Sequence, residues 1–402
     1  MGNNIPQGYK ATALGIIPQE WKTIRLKDCF SISAGGDVQK DCFSEAPSLQ
    51  YKYPIYSNSL FNHGLYGFTS HPRHKANSIT ITGRGALGHA EYREIDFDAI
   101  VRLLVLAPKI PLNGQYITEY INFRKPFFYE STGVPQLTAP QIANIQVLFP
   151  PLGEQRKIAE VLGVWDEAIE KQARLIEKLA LRKRGLMQRL LSAKLRLPGF
   201  SEPWQKVKLG EICERVTRKN IEDNQNVMTI SAQCGFVAQT DFFNKSVASE
   251  TLESYYLVFK DEFCYNKSYS NGYPMGAIKR LSEADKAVVT SLYICFNVKP
   301  ETNTNIDYLS YYFDNGGLNR GLTKIANEGG RAHGLLNVTP KDFFGLSFEI
   351  PSLKEQTAIA EVLIAADREI ELAKEKLERL RRQKRGLMQQ LLSGKKRVKI
   401  NI

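Results

Sequence analysis

Apolar residues recur at alternating spacings of four and three in two separate stretches of the chain. In the first stretch they are Ile158, Leu162, Trp165, Ile169, Ile176, Leu179, Leu186 and Leu190. In the second they are Ile359, Leu363, Ala366, Ile370, Ala373, Leu377, Leu380, Leu387 and Leu391. This heptad seam predicts two long helices, over residues 151–197 and 351–402. Because one apolar stripe cannot stabilise such a helix alone, we expect the helices to pair, antiparallel if the chain returns on itself.

The seam contains gaps and two unexpected glycines. Polar residues fill the gaps at Gln172, Lys183 and Lys384. Gly185 and Gly386 occupy equivalent places, although glycine inside a helix costs about 1 kcal/mol relative to alanine. Their recurrence indicates either close packing at this point or a helix end, and the sequence leaves both interpretations open.

The two helical stretches are copies of one another. Residues 150–194 match residues 351–395 without a gap at an offset of 201, and 24 of the 45 positions are identical. A weaker match at an offset of 183 joins the segments around Trp21 and Trp204. The order is therefore variable region, shared helix, variable region, shared helix, which indicates a tandem duplication.

The variable regions, residues 1–150 and 198–350, are predicted to form two globular α/β domains. All 18 Tyr and 20 Phe lie outside segments 152–198 and 353–402, so the aromatic cores belong to these regions. Strands are predicted at residues 78–82, 100–108, 145–150, 227–231, 287–298 and 346–350, and short helices at residues 116–123 and 306–313. The expected fold class is α+β, with two domains separated by two long antiparallel, coiled-coil-like helices in an internal repeat.

Charge is concentrated in the shared helices. The chain has 402 residues with 54 Lys+Arg and 42 Asp+Glu, a net charge of +12, and the two helical segments carry eleven of these charges. A basic chain favours a polyanionic partner. The 43% hydrophobic content excludes a largely disordered protein.

The six cysteines form no CxxC pair, so we expect reduced thiols and a cytoplasmic protein. The N-terminus has no apolar h-region typical of a signal peptide. The longest apolar run, residues 99–108, is far too short to span a bilayer.

Motifs for catalysis are missing or incomplete. The segment GRGALG at residues 83–88 fits G-x-G-x-x-G, but the residues after it look extended and carry acids too early, which favours a tight turn over a dinucleotide site. His71 and His74 make at most an incomplete metal site. The chain has no phosphate-binding P-loop and no amino-methyltransferase [NDS]-P-P-[YFW] loop. We therefore expect no catalytic residue, metal or cofactor on this chain.

Loops rich in basic residues, asparagine and glycine are the candidate DNA contacts, because Arg, Lys and Asn read base edges. A solvated loop is the plainer interpretation of any single residue. The candidates are Asn58, Lys75, Arg84, His89, Arg93, Asn266, Lys267, Tyr269, Asn271, Tyr273, Lys279, Arg280, Arg331 and His333. Basic clusters at residues 182–184 and 381–385 suit the helix dipole, or contact DNA phosphates or an acidic partner.

These features together resemble the specificity subunit of type I restriction–modification systems. The resemblance rests on PLGEQ leading to RGLM in the first helix, LKEQ leading to RGLM in the second, and the openings around Trp21 and Trp204. The segment EGGRAHGLLNVTPKDFF before the second helix also fits. The resemblance covers nearly the whole chain.

The resemblance implies a non-catalytic subunit whose two target recognition domains each read half of an asymmetric, bipartite DNA site. The helices would dock two methyltransferase subunits, which bring S-adenosylmethionine and methylate adenine, and a restriction subunit using ATP and Mg²⁺ would join them. The residues it suggests for partner contact are Glu154, Gln155, Arg184, Met187, Glu355, Gln356, Arg385 and Met388. The duplication supports this independently. A symmetric dimer reads matching half-sites, whereas a duplicated chain keeps the same helices and lets its two DNA-reading domains diverge.

Other classes of protein compete with this interpretation. One is an enzyme acting alone, and another is a specificity subunit of a different methylating nuclease or a stand-alone bipartite DNA-binding protein. A pure scaffold is disfavoured because two large aromatic domains exceed what a spacer needs.

Overall fold

The computed structural model describes residues 5–125, 135–240, 252–326 and 336–399. The chain forms two compact units, Met1–Ala173 with Glu375–Ile402, and Arg174–Lys374. The division cuts both long helices, so the contacts do not group by the four predicted segments 1–150, 151–197, 198–350 and 351–402. Instead, each unit combines one variable region with parts of both helices.

The first unit is built mainly of strands. These are β1 Tyr9–Thr12, β2 Gly15–Pro18, β3 Lys22–Arg25, β4 Phe30–Ala34, β5 Phe43–Ser44, β6 Tyr53–Tyr56, β7 Leu65–Thr69, β8 Ser78–Ile81, β9 Ala90–Arg93, β10 Asp98–Ala99, β11 Leu104–Pro108 and β12 Gln146–Phe149. The short helices are α1 Leu26–Cys29, α2 Gly114–Arg124 and α3 Ala139–Ala143, with 3-10 turns at Lys40–Cys42 and Phe61–Gly64. One antiparallel sheet has the order β4-β11-β8-β9, and a mixed sheet has the order β10-β6-β7-β5.

The second unit has strands β13 Gln205–Lys208, β14 Cys213–Val216, β15 Met228–Ser231, β16 Gly235–Ala238, β17 Tyr256–Phe259, β18 Phe263–Asn266, β19 Ala277–Arg280, β20 Lys286–Val289, β21 Ile294–Val298 and β22 Ser347–Ile350. Its short helices are α5 Leu209–Ile212, α6 Ile306–Asp314, α7 Asn319–Ile325 and α8 Pro340–Phe344. The sheet β14-β21-β18-β19 repeats the order of β4-β11-β8-β9, and the pair β13-β22 repeats β3-β12. The internal repeat therefore extends into the domains, while the pairs β15-β16 and β17-β20 differ from the mixed sheet of the first unit.

The two long helices are α4 Leu152–Leu190 and α9 Leu353–Leu391, each of 39 residues and so about 58 Å long. In the first unit, Ile158 near the start of α4 shares a core with Leu391 at the end of α9. Further along α4, Asp166 meets Lys384, which lies earlier in α9. The helices therefore run antiparallel, as predicted. In the second unit Ile359 and Leu190 share a core, so the same arrangement recurs.

The predicted seam is buried or half-buried along both helices. Its buried members are Ile158, Leu162, Leu179, Leu190, Ile359, Leu363, Ala366, Ala373, Leu377 and Leu391. Its half-buried members are Trp165, Ile169, Ile176, Leu186, Ile370, Leu380 and Leu387. The alternation of four and three therefore identified the contact face correctly.

The strand predictions hold with two exceptions. The stretch 100–108 contains a turn at Val101 and Arg102, so only Leu104–Pro108 is a strand. The stretch 287–298 divides into β20 and β21. Both predicted short helices form as α2 and α6, and Asn113 and Asn305 cap their first turns by accepting from the backbone of the third residue on.

Candidate nucleic-acid interface and helix surface

The Glu-Gln pairs at the starts of the long helices connect each helix to its own domain. The exposed fractions of Glu154, Gln155, Glu355 and Gln356 are 0, 0, 1 and 1%. Gln155 Nε2 donates to the Pro150 carbonyl at 2.9 Å, and its Oε1 accepts from the Asn113 backbone N–H at 2.9 Å. Gln356 repeats both bonds with Pro351 and Asn305. Partner contact by these four residues was the wrong prediction, because their side chains are enclosed and already bonded.

Two arginines that the sequence analysis missed bind the buried glutamates. Arg397 donates to both carboxylate oxygens of Glu154, at 2.6 and 2.9 Å. Arg196 donates to both oxygens of Glu355, at 2.6 and 2.7 Å. The two arginines are 201 residues apart, the same offset as the helix repeat, so extending the repeat comparison beyond residue 194 could have identified them. Such bidentate pairs hold the chain after each helix against the start of the other.

The tryptophans beside these pairs differ between the units. Trp21 Nε1 donates to Glu154 Oε2 at 2.9 Å. Trp204 Nε1 is buried without a hydrogen-bond partner among the described residues. The first unit therefore satisfies its buried polar groups more completely at this point.

The lysines that fill the seam gaps pair with an acid of the facing long helix, and each pair also contacts its domain. Lys384 Nζ lies 2.6 Å from Asp166 and 2.9 Å from Glu119 of α2. Lys183 repeats the first contact with Asp367, which also accepts from the Tyr311 hydroxyl at 2.7 Å. The Lys384 and Glu119 side chains are only 12 and 8% exposed. These polar gaps in the seam thus position each domain on the helix pair.

We expect Lys384→Met to lower the free energy of unfolding by about 3 kcal/mol at neutral pH, because it leaves the Glu119 carboxylate buried and unpaired. Burial already raises the pKa of Glu119 above its ordinary value, and Lys384 opposes that shift. A carboxyl whose folded-state pKa is raised destabilises the fold as the pH rises through that pKa, and the cost disappears below it. The variant should therefore recover stability at acidic pH.

Denaturant titrations at pH 5 and pH 8 measure this effect. Lys374→Met is the matched control, because Lys374 pairs with Glu371 on the surface and both side chains are more than half exposed. We expect its loss to stay below about 0.5 kcal/mol at either pH. Equal losses for Lys384→Met and Lys374→Met would contradict the structural role assigned to Lys384.

The other residues predicted to contact a partner divide into two groups. Met187 and Met388 are half-buried and pack against the cores of their units. Arg184 and Arg385 are exposed. Gly185 and Gly386 lie inside the helices, which excludes a helix end, and a Cβ there would have no atom of this chain within 4 Å, so packing within the chain does not require them.

In the first domain Asn58 organises the loop that carries Arg84. Asn58 Oδ1 accepts from the Gly83 backbone N–H at 2.7 Å, and its Nδ2 donates to the Val101 carbonyl at 2.6 Å. Arg84 is exposed, and its guanidinium makes no ion pair among the described residues. The Asn58 side chain therefore holds the loop, whereas Arg84 stays available for a ligand.

The remaining candidates of this domain have partners of their own. Lys75 is exposed and pairs with Asp96 at 2.9 Å. The Glu91 carboxylate lies 2.9 Å from His89 Nε2. Arg93 is only 6% exposed, donates to Thr80 Oγ1 and stacks on the Tyr56 ring, so its prediction as a DNA contact was wrong.

In the second domain the loop after β18 presents exposed Tyr269 and Asn271, with Lys267 and Tyr273 half-buried. Burial lowers the pKa of Lys267 from its ordinary value. Asn266 donates to the Ile230 carbonyl at 3.2 Å and so holds this loop.

The two basic residues after this loop are neutralised within the domain. Lys279 pairs with Asp314 at 2.7 Å, and Arg280 pairs with Asp307 at 2.6 Å. Both acids belong to α6, so these residues tie the sheet to that helix in place of the predicted free contacts. Arg331 and His333 lie outside the described residues.

His71 and His74, the incomplete metal site suggested by the sequence, have other contacts in the structure. His74 stacks on Phe97, and burial lowers its pKa, while His71 bonds to Ser70. Within the described ranges no group of three or more His, Cys, Asp or Glu residues could hold a metal ion. In the same ranges no helix combines the length and apolarity needed to cross a bilayer. All six cysteines are free thiols.

The fold and the contacts that join each domain to the long helices define a class of protein. It is a tandemly duplicated binding protein with two α/β domains and one pair of long helices. The family model of the type I restriction modification DNA specificity domain matches residues 18–180 and again residues 201–382. The chain therefore belongs to the type I restriction–modification DNA specificity family, and it is a DNA specificity subunit of such a system.

Relatives and solved structures agree with this assignment. The type I restriction enzyme MjaVIII specificity subunit of Methanocaldococcus jannaschii is 22% identical over 424 residues, covering 95% of this chain and 94% of that protein. A type I specificity subunit of Mycoplasma pneumoniae is 33% identical over 145 residues, covering 36% of this chain and 39% of that protein. The crystal structure of an S subunit from M. genitalium matches with a TM-score of 0.56 at 16% identity over 97% of both chains, which shows the shared fold.

Proposed function

We propose that this chain recognises an asymmetric, bipartite DNA site, with one half read by each domain. The proposal rests on the contrast between the contacts around the long helices, which repeat, and the candidate DNA loops, which do not. The buried Glu-Gln pairs, the bidentate arginines and the seam lysines recur in both units, whereas the candidate DNA loops differ in sequence and structure. A shared frame with unlike loops supports two different half-sites at a set separation.

The chain acts without its own reaction centre and supplies sequence recognition in the cytoplasm to catalytic partners. Two adenine methyltransferase subunits bring S-adenosylmethionine, and restriction subunits bring ATP and Mg²⁺. A solved structure concerned with complex assembly of the type I restriction–modification system has a TM-score of 0.56 to this chain at 15% identity, covering 94% of it, which supports a fold suited to such assembly.

We place one methyltransferase docking point on each long helix, at the identical KRGLMQ segments of residues 183–188 and 384–389. Each segment carries an exposed arginine beside a glycine that internal packing does not require. Glycine without a packing reason, retained in both copies, supports close approach of a partner. Two copies of one surface suit two copies of one partner.

Substitutions at these glycines test the docking points. We expect Gly185→Ala and Gly386→Ala each to raise the free energy of unfolding by about 1 kcal/mol, because alanine is the better helix former and its Cβ meets open space. Gly185→Leu and Gly386→Leu should retain the fold but each remove one bound methyltransferase subunit, measured by light scattering of the purified complex. Retention of both subunits by both leucine variants would contradict the placement.

Methyl-transfer assays test the function itself. We expect the chain alone to be inactive with S-adenosylmethionine, and the methyltransferase subunits to methylate specific sites only when the chain is present. Methyl transfer by the chain alone would contradict the non-catalytic role. Partners of another nuclease class that co-purify with the chain would indicate the alternative, a specificity subunit of a different methylating system.

A further inference from the structure

Val101 and Arg102 form a strained turn at one end of β11 in the first unit. Both residues have left-handed backbone, with φ values of 53° and 59°. The Leu103 N–H donates to the Ile100 carbonyl at 3.0 Å, which closes a four-residue turn. Two consecutive positive φ values define a type I′ turn, a geometry that favours Asn-Gly. A β-branched residue such as valine with positive φ is a genuine outlier.

The surroundings enforce this conformation from three sides. The backbone N–H groups of Val101 and Arg102 donate to the carbonyls of Gly36 and Gly35, both at 2.9 Å. Gly35 packs so closely that a Cβ there would lie 2.6 Å from the Ala99 carbonyl carbon. Asn58 donates to the Val101 carbonyl and, through Gly83, also holds the loop carrying Arg84. The turn and the Arg84 loop are therefore joined through the Asn58 side chain.

The side chains at this turn are left facing solvent. Val101 is 48% exposed, although its conformation is costly and it adds nothing to the core. Arg102 and Arg84 are exposed and line one cavity of about 220 Å³. Neither guanidinium has an ion-pair partner in the described part of the chain, in contrast to Lys75, Lys279 and Arg280. Backbone strain that the structure maintains without a packing benefit is typical of sites that contact a ligand.

We propose that the Val101–Arg102 turn is a base-reading element of the first domain, an inference that rests on the proposed function. Arg102 donates to the edge of a guanine, and Val101 packs against a neighbouring base, for which the methyl group of thymine is the suitable apolar partner. Arg84 lines the same cavity and offers a second unpaired guanidinium beside the turn. Sequence patterns did not reveal this site, because residues 100–108 have the composition of one continuous strand.

The double variant Val101→Asn with Arg102→Gly separates recognition from folding. Asn-Gly suits the type I′ turn better than Val-Arg, so we expect the thermal midpoint to stay the same or rise. Affinity for a duplex with the cognate site, identified by methylation mapping, should fall at least tenfold. Affinity for a random duplex should change less than twofold. Fluorescence anisotropy on the full-length chain assembled with its methyltransferase subunits measures the affinity for three duplexes. They are the cognate duplex, a random duplex, and a duplex altered in the first half-site.

Ala193→Gly is the matched control. Ala193 is exposed after the end of α4 with a φ of 57°, so glycine relieves the same kind of strain away from the proposed site. We expect its DNA affinity to stay within twofold of wild type. Unchanged cognate affinity in the Asn-Gly variant, or equal losses on cognate and random DNA, would overturn the base-reading role. A wild-type complex without preference for cognate over random DNA would instead overturn the proposed function.

Discussion

Replacing residues 20–148 with the corresponding domain of another family member should change one half of the methylated DNA sequence and leave the other half and the spacer unchanged. The expectation follows from the repeated frame, because Gln155 and Gln356 join each helix to its own domain in the same way. Trp21 and Asn113 bond to the start of α4, and Glu119 bonds to Lys384 of α9. A donor that keeps these three contacts should fold on the existing frame.

The reciprocal exchange of residues 204–349 is the matched experiment, and it should change the other half only. Sequencing of methylated adenines in cells that express each chimera gives the recognised sites directly. The modular account fails if either exchange alters both half-sites, or if methylation continues at the original site. A chimera that loses all methylation is checked by its thermal midpoint and by repeating the exchange with a second donor.

Inserting one heptad into each long helix should lengthen the preferred DNA spacer by about 3 base pairs. Insertions after Ala173 and after Lys374 fall at the boundaries of the two units and so leave the contacts within each unit intact. Seven residues add about 10.5 Å of helix, and a heptad preserves the phase of the seam. At about 3.4 Å per base pair this corresponds to roughly three additional base pairs.

The measurement is methylation of a duplex library in which both half-sites are constant and the spacer varies. A seven-residue insertion in the exposed turn at Glu222 and Asp223 serves as the control and should leave the spacer preference unchanged. The helix pair would lose its role as a ruler if the heptad variant methylated only the original spacer. Insertion into one helix alone should stop assembly, because it shifts one seam against the other.

The sequence predicted the paired long helices better than the DNA-contact residues, because a repeated pattern of residues encodes the helices. The seam leucines and isoleucines repeat at helical spacing within each copy, and the copies repeat at one offset, so the long helices and their pairing followed from pattern alone. Gln155 and Gln356 show the limit of this reasoning. Both repeat and both look polar enough for a surface, yet each is buried and bonded to the N–H of a helix cap 42 or 51 residues earlier, which the local pattern does not show.

The loop residues show why composition cannot identify a DNA contact. Arg93, Lys279 and Arg280 carry the right charge, but each already has a partner in another element. Arg93 stacks on an aromatic ring, and Lys279 and Arg280 pair with carboxylates. Arg84 is exposed, and its guanidinium makes no ion pair among the described residues. Arg102 was not predicted, since nothing in an apolar stretch signals a turn with two left-handed residues when neither is glycine or asparagine.

Single-molecule sequencing of methylated adenines, with and without the gene for this chain, tests the central claim most directly. The account predicts one motif that depends on the chain, with two unlike half-sequences separated by a spacer of constant length, lost on deletion and restored by the wild-type gene. A continuous or palindromic motif that depends on the chain, or a methylation pattern unaffected by its loss, would contradict the account.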